Sequence, residues 1–494
     1  MFDKLKELTK DTAIYGISTM VGRFLNFILV PFYTNIFAPA DYGIIQLVYA
    51  YVAILNIVFI YGLDSAYLKF AAFKDIGDDK DNFSTPYIAI FGTSLIISLL
   101  VIINSGSIGN SLGVPTQYNF LIILAIAIIF FDANAVIPFL KLRLDRKAKT
   151  FSLFKILNIS VNIFLNFYLI LILHWGIEAI LISNLIASVV SLLLVSPTIV
   201  KNFKLKFHSL LFKRMLKFGL PFLPAGFAVM LVQVIDVPIL EKLTDLSTVG
   251  IYKANYKLGI FMMLFVNMFQ YAWQPFFLQN AKDPSAREMF SKVLTYFTLA
   301  GSILLVVLSI FISDFAKIRI SGFSLIGSEY WSGLNIVPIV LLAYLINGMY
   351  VIFSAGIYIE EKSIYVPIIT GMGALVNVVV NFVLIPVLNI AGAALATLAS
   401  YFIMAAGYYY VTQKFYKVKY ELKRIGHIFL SVFIIGILYY FLYSAGYMAL
   451  QYKFLLLVLF SMYIYFVAVD RKEIKLIRTR LVESRRKKNK WKNL

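Results

Sequence analysis

The chain has no cysteine and only three histidines, His174, His208 and His427, all far apart in sequence. Thiol nucleophiles, cysteine metal sites and disulfides are therefore excluded, and no histidine cluster offers itself to a metal. Charge is also scarce. Charged residues make up 14% of 494 positions, against about a quarter in a soluble domain. No glycine loop able to cradle phosphates is present, so direct use of ATP has no support. What the chain has instead is apolar sequence: 61% of its residues, in runs of about 18 or more that each read as a membrane span. These runs fill the chain from end to end and leave no room for a sizeable soluble domain.

The apolar periodicity predicts fourteen transmembrane helices, at roughly 12–36, 42–68, 84–104, 118–140, 150–173, 177–198, 215–240, 248–278, 290–312, 333–358, 364–386, 389–411, 426–446 and 452–469. Breakers separate them, among them Ala38-Pro39-Ala40-Asp41, Asn104-Ser105-Gly106-Ser107 and Gly113-Val114-Pro115. The short charged start runs directly into an apolar segment without a small-residue cleavage site, so it reads as a first span rather than a removed signal.

The 45 Lys and Arg residues outnumber the 25 Asp and Glu and give a net charge of +20. Nearly all fall on one alternating set of connectors and the two termini. The opposite set holds only Lys242, Lys317, Arg319 and Lys453, and Arg23, Lys155, Lys253 and Lys257 lie inside spans. This is a positive-inside pattern with both termini cytoplasmic, not a nucleic-acid surface. The basic tail, with Arg485-Arg486-Lys487-Lys488, reads as a solvated run against anionic lipid heads, worth about 1 kcal/mol per charge.

A repeat organises the chain. Val161-Asn162-Ile163-Phe164-Leu165-Asn166-Phe167 returns 215 residues later as Val376-Asn377-Val378-Val379-Val380-Asn381-Phe382. The offset covers six spans, an even number, so the copies run the same way through the membrane. The fold class expected is all-α integral membrane. Two six-helix lobes are related by a pseudo-two-fold along the membrane normal, with two extra C-terminal helices. The divisions are an N-lobe at 1–200, a basic linker at 201–214, a C-lobe at 215–412, two helices at 413–469 and a basic tail at 470–494. A fainter echo links Tyr15-Gly16 and Asp41-Tyr42-Gly43 with Phe218-Gly219 and Val249-Gly250. The paired asparagines lie four apart on one helix face. They act either as interhelical glue, at about 0.6 kcal/mol per bond, or as substrate contacts.

At these residues the chain resembles the polysaccharide and O-antigen flippases of the multidrug/oligosaccharidyl-lipid/polysaccharide exporter superfamily. The resemblance is carried by Asn377-Val378-Val379-Val380-Asn381-Phe382-Val383-Leu384-Ile385-Pro386 and Ala391-Gly392-Ala393-Ala394-Leu395-Ala396-Thr397. The opening adds Asp11-Thr12-Ala13-Ile14-Tyr15-Gly16, Pro31-Phe32-Tyr33-Thr34 and Asp41-Tyr42-Gly43. A basic residue closes span 2, here Lys69. The resemblance implies two lobes around a central cavity and alternating access. It implies an undecaprenyl-diphosphate-linked oligosaccharide as substrate and a multi-pass protein of the bacterial inner membrane. A polysaccharide polymerase and glycosyltransferases are further partners on this reading, and no cofactor or metal is implied.

Ionisable residues at membrane depth mark function by default, because each costs about 2.5 kcal/mol or more unless paired or hydrated. Arg23 lies near mid-depth of span 1 on a polar stripe with Thr12, Gly16, Thr19, Asn26 and Thr34. The stripe is expected to line a cavity, or else Arg23 pairs with Asp132. Span 2 offers Gln46, Tyr49, Asn56, Asp64 and Tyr67. Span 8 carries Lys253 and Lys257, with Gln270 further along; Lys253 is expected to snorkel and Lys257 to line the cavity. The candidate substrate-binding residues are thus Arg23, Asn26, Gln46, Lys69, Lys253, Lys257 and Gln270. Asp132 is a candidate for ion coupling, and so are Asp64 and Asp236, which could instead pair with neighbouring cations. Pro221, Pro224 and Pro238 make span 7 a candidate bending element.

The function expected is a flippase moving a lipid-diphosphate-linked oligosaccharide, not an enzyme. A lipid II flippase and a cation-coupled multidrug antiporter are the alternatives within the superfamily. A membrane glycosyltransferase needs a catalytic loop. The connector at 313–332 carries only Asp314, Lys317, Arg319 and Glu329 as charges.

Overall fold

A computed structural model of the chain describes residues 20–468, apart from 23, 26, 74, 75, 321 and 448. The described chain is helical almost throughout. The first helix, α1, ends at residue 36 and leads into α2 (Pro39–Ile60), whose first-turn proline costs no hydrogen bond. Then come α3 (Leu63–Phe73), α4 (Asp79–Ile103), the short α5 (Ser105–Ser111), α6 (Phe120–Leu144), α7 (Ala148–Phe167) and α8 (Glu178–Asn202). The second half opens with α9 (Ser209–Gly219), α10 (Phe222–Val234), α11 (Asp236–Leu243), α12 (Leu246–Tyr256) and α13 (Ile260–Asn280). It continues with α14 (Ala286–Lys317), a two-stranded hairpin of β1 (Arg319–Ile320) and β2 (Phe323–Ser324), α15 (Val337–Ile359), α16 (Tyr365–Leu388) and α17 (Ile390–Phe415). Last are α18 (Leu422–Ser444) and α19 (Leu450–Tyr463).

Among the described residues, ten helices or joined helix pairs are long and apolar enough to cross a membrane, and α9 with α10 makes an eleventh if the bent pair is one span. The expected fourteen include three more. The first span lies partly outside the described residues, the eighth is divided between α12 and α13, and the last is the short apolar stretch Leu450–Phe466. Outward-facing positions such as Leu193, Leu375 and Val387 are apolar and exposed, as lipid contact requires.

Span 7 bends by 45° where α9 meets α10. Pro221 sits at the break, where its missing N–H and its ring prevent a continuous helix. A 3-10 turn at Lys257–Gly259 separates α12 from α13 without any proline.

The asparagine repeat is repeated in structure. Asn166 donates its side-chain amide to the Asn162 carbonyl at 2.9 Å and to its side-chain oxygen at 3.2 Å. Asn381 does the same to Asn377 at 2.8 and 2.9 Å. Both inner asparagines are fully buried, and Asn166 also accepts from Tyr33 of α1 at 2.7 Å. Asn166 thus ties helix to helix.

The two halves meet through glycines. A Cβ on Gly43 would fall 1.8 Å from the Leu246 carbonyl oxygen, and one on Gly250 2.0 Å from that of Pro39. The contact is reciprocal, each glycine facing the carbonyl four residues before the other. The chain path fixes its sense. Gly219 abuts Gly62 and Gly226 faces Ile57, so α10 runs antiparallel to α2. After the turn at Thr244, α12 therefore runs parallel to α2, and the local two-fold lies along the helices. Gly62, at φ +77°, forms the second close approach, its added Cβ falling 2.2 Å from the Gly219 carbonyl oxygen. A non-glycine side chain would be both strained and excluded there.

Candidate functional site

At the end where α2 starts, the connector after α14 clasps the first half. Asn35 donates to the Ser324 carbonyl at 2.7 Å and accepts from its backbone N–H and its hydroxyl. The Gly327 N–H donates to the Thr34 hydroxyl at 3.1 Å, and buried Tyr330 donates to the Phe37 carbonyl at 2.8 Å. At the far end α3 packs on α9.

Lys257 stands at this seam, on the 3-10 turn between α12 and α13. Its amine donates to the Tyr42 hydroxyl at 2.9 Å and lies 5.3 Å from the centre of that ring. It thereby reaches from the second half into the first. Among the described residues no carboxylate comes within ion-pair distance of it.

Lys253, one turn earlier, is placed differently. It does not snorkel outward; it is buried and pairs with Asp236 at 3.4 Å. Tyr252 donates to the same carboxylate at 2.6 Å, and the Tyr256 ring lies 4.8 Å from the amine. The pair joins the start of α11 to α12, and its charges cancel locally. Asp236 and Lys253 thus form an internal brace, held because an unpaired charge at this depth is costly.

The remaining sequence candidates are dispersed. Arg23 and Asn26 lie outside the described residues, as do Thr12, Gly16 and Thr19. Lys69 is exposed, its amine 4.1 Å from the Phe218 ring, so it contacts α9 across the halves at the end opposite Lys257. Gln46 is buried within α2, and Asp64 is half-buried in the first turn of α3. Asp132 of α6 is exposed and interacts with Ser188 of α8 and with the Lys155 charge. Tyr49 of α2 accepts from Asn184 at 3.1 Å. Among the described residues no three His, Cys, Asp or Glu side chains gather as metal ligands.

A second feature lies wholly in the second half. A cavity of about 230 Å³ opens among α10, α13, α15, α16 and α17. Gln233, Gln270, Gln274 and Asn347 supply amides, and Tyr350 and Trp273 supply aromatic faces. Trp273 is 3% exposed, yet its indole N–H has no hydrogen-bond partner among the described residues. Of these residues the sequence reading singled out only Gln270. Amides within the apolar helices α10, α13 and α15 were the available signal, but five helices had to be assembled before they faced one space.

These features define a multi-pass, helical membrane protein of two interlocked halves. Solved structures of similar fold include the lipid II flippase MurJ in an inward closed conformation, with a TM-score of 0.67 and 18% identity over 92% of this chain and 98% of that one. An inward-facing multidrug resistance MATE family transporter of the MOP superfamily gives a TM-score of 0.63 at 13% identity, covering 84% and 98% of the two chains. A Vibrio cholerae MATE transporter gives 0.56 at 14%, covering 83% and 96%. Comparison with curated protein sequences gave no match. The family model described as polysaccharide biosynthesis protein matches residues 8–281, more than half of the chain. The protein belongs to that family.

Proposed function

We propose that the protein carries a lipid-diphosphate-linked oligosaccharide from the cytoplasmic to the outer leaflet by alternating access. On this reading it performs transport without chemical conversion, in a bacterial inner membrane with both termini cytoplasmic. The lobes at 1–200 and 215–412 rock about the seam, and polymerase and glycosyltransferases act on either side of the step. The observation that carries the proposal is Lys257. It is a cation at the junction of the halves that lacks a carboxylate partner among the described residues, while its neighbour Lys253 is neutralised by Asp236. A diphosphate is the anion such a group would serve, through charge-assisted hydrogen bonds in a low dielectric. Arg23, on span 1, is the second cation assigned to the same anion, and a guanidinium there would grip phosphate oxygens bidentately.

The test is surface glycan in cells carrying Lys257 variants. Removing one charge-assisted bond costs about 1.5–3 kcal/mol, so Lys257→Gln lowers export by about 10- to 150-fold. Lys257→Glu lowers it further by adding repulsion. Normal surface glycan in Lys257→Glu cells overturns the assignment, and raised resistance to cationic dyes on overexpression would make the protein a drug antiporter instead.

A further inference from the structure

We infer that the cavity of the second half is a binding site for an uncharged sugar ring. Its volume is about 230 Å³. That is far more than a bare ion fills and less than a drug-sized molecule needs. None of the lining side chains is a carboxylate, lysine, arginine or histidine. The site therefore offers no counter-charge to an ion of either sign. The four amides, Gln233, Gln270, Gln274 and Asn347, each present donors and an acceptor, and a hydroxyl is the group that uses both at once. Gln233, Gln270 and Gln274 are exposed to the cavity and make no side-chain hydrogen bond among the described residues.

Trp273 provides the independent observation. Its indole N–H is buried without a partner, a state that costs about 1–3 kcal/mol unless something accepts it. Tyr350 stacks on Tyr408 at 5.2 Å, holding a rigid aromatic surface on the same cavity. A pyranose has an apolar C–H face for such rings and a rim of hydroxyls for the amides. The inference rests on the flippase reading only in taking this sugar to be the head of a lipid-linked substrate. The cavity would then hold sugar while Lys257 holds charge.

The experiment uses the purified full chain with Trp175→Phe, Trp331→Phe and Trp491→Phe, leaving Trp273 as the only reporter. Methyl glucoside and N-acetylglucosamine are titrated while its fluorescence is followed, with tetraphenylphosphonium as the cationic probe. Saccharide should shift the emission saturably and raise the unfolding temperature of the unsubstituted chain. Gln270→Leu and Gln274→Leu should each weaken binding by about three- to tenfold while the unliganded unfolding temperature stays near that of the parent. Tetraphenylphosphonium binding that saccharide does not displace overturns the inference in favour of an aromatic cation site. Absence of any saccharide effect in both readouts also overturns it. If that absence accompanies loss of export in Lys257→Glu cells, the cavity inference alone has failed. Saccharide binding together with normal export in those cells supports the cavity site and refutes the flippase reading.

Discussion

Adding one methyl group at Gly43 should release the clasp between the halves. The new Cβ would fall 1.8 Å from the Leu246 carbonyl oxygen, where ordinary contact begins at 3.4 Å. Helices α2 and α12 must therefore part by about 1.5 Å, and neither obstacle is a flexible side chain that can turn aside. Overpacking of this kind costs about 1–3 kcal/mol. If the cost falls only on the state in which this end is closed, the open state gains about 5- to 150-fold in population. The absence of native cysteine makes the measurement direct. Val249→Cys places a thiol at a fully buried position of α12, beside the contact. Its labelling by a membrane-impermeant maleimide added from outside should quicken by that factor in Gly43→Ala. Gly250→Ala should act alike, since its Cβ meets the Pro39 carbonyl oxygen at 2.0 Å. Gly92→Ala, with nothing within 4 Å, should not. Equal labelling in all four backgrounds would refute the reasoning.

Tyr330→Phe removes the bond to the Phe37 carbonyl and leaves that acceptor buried. It should cost about 1–3 kcal/mol of closure and likewise speed labelling at Val249→Cys, by less than Gly43→Ala if the clasp is the weaker element. Lys453 of α19 is buried against half-exposed Asp314 of α14. Lys453→Met should therefore leave thermal unfolding nearly unchanged, whereas Lys453→Ala loses packing as well and should lower the midpoint, measured in detergent. Asp78 accepts from Lys204 and caps α4, and the Lys204 bond holds its carboxyl below the usual range. A depressed folded pKa stabilises above the unfolded value and is lost as pH falls through the folded one. Proteolysis near Lys206 should thus accelerate on acidification below the carboxylate range. That acceleration should vanish in Lys204→Ala; protection at low pH would contradict it.

Much of this architecture was legible in the sequence because its causes are local or periodic. Apolar runs gave the helices, and Pro39, Asp78 and Asp245 stand at helix starts where their chemistry suits them. The faint echo of Asp41-Tyr42-Gly43 in Val249-Gly250 marked the two glycines that meet at the seam. Pro221 marked the bend of span 7. The break at Lys257–Gly259 carries no proline and could not be read. Lys253 was expected to snorkel because its partner was invisible. Asp236 stands in the preceding span and becomes its neighbour only when α11 folds back on α12. The cavity was hidden for the same reason. Its four amides stand on three helices and face one space only when five helices are packed together.

The two interrupted helices that meet at Gly43 and Gly250 are interrupted at different depths. In the first half the chain runs 22 residues through α2 before Tyr61 and Gly62, both at positive φ, break it. In the second half α12 lasts 11 residues before the turn at Lys257. The first element, with α3, is jointed about two-thirds of the way along; the second, with α13, about one-third. The early joint separates α13 from the glycine contact that pins α12 to its neighbour. Two halves of one repeated plan thus place their joints at different depths, so the glycine seam is carried by a long helix on one side and a short one on the other.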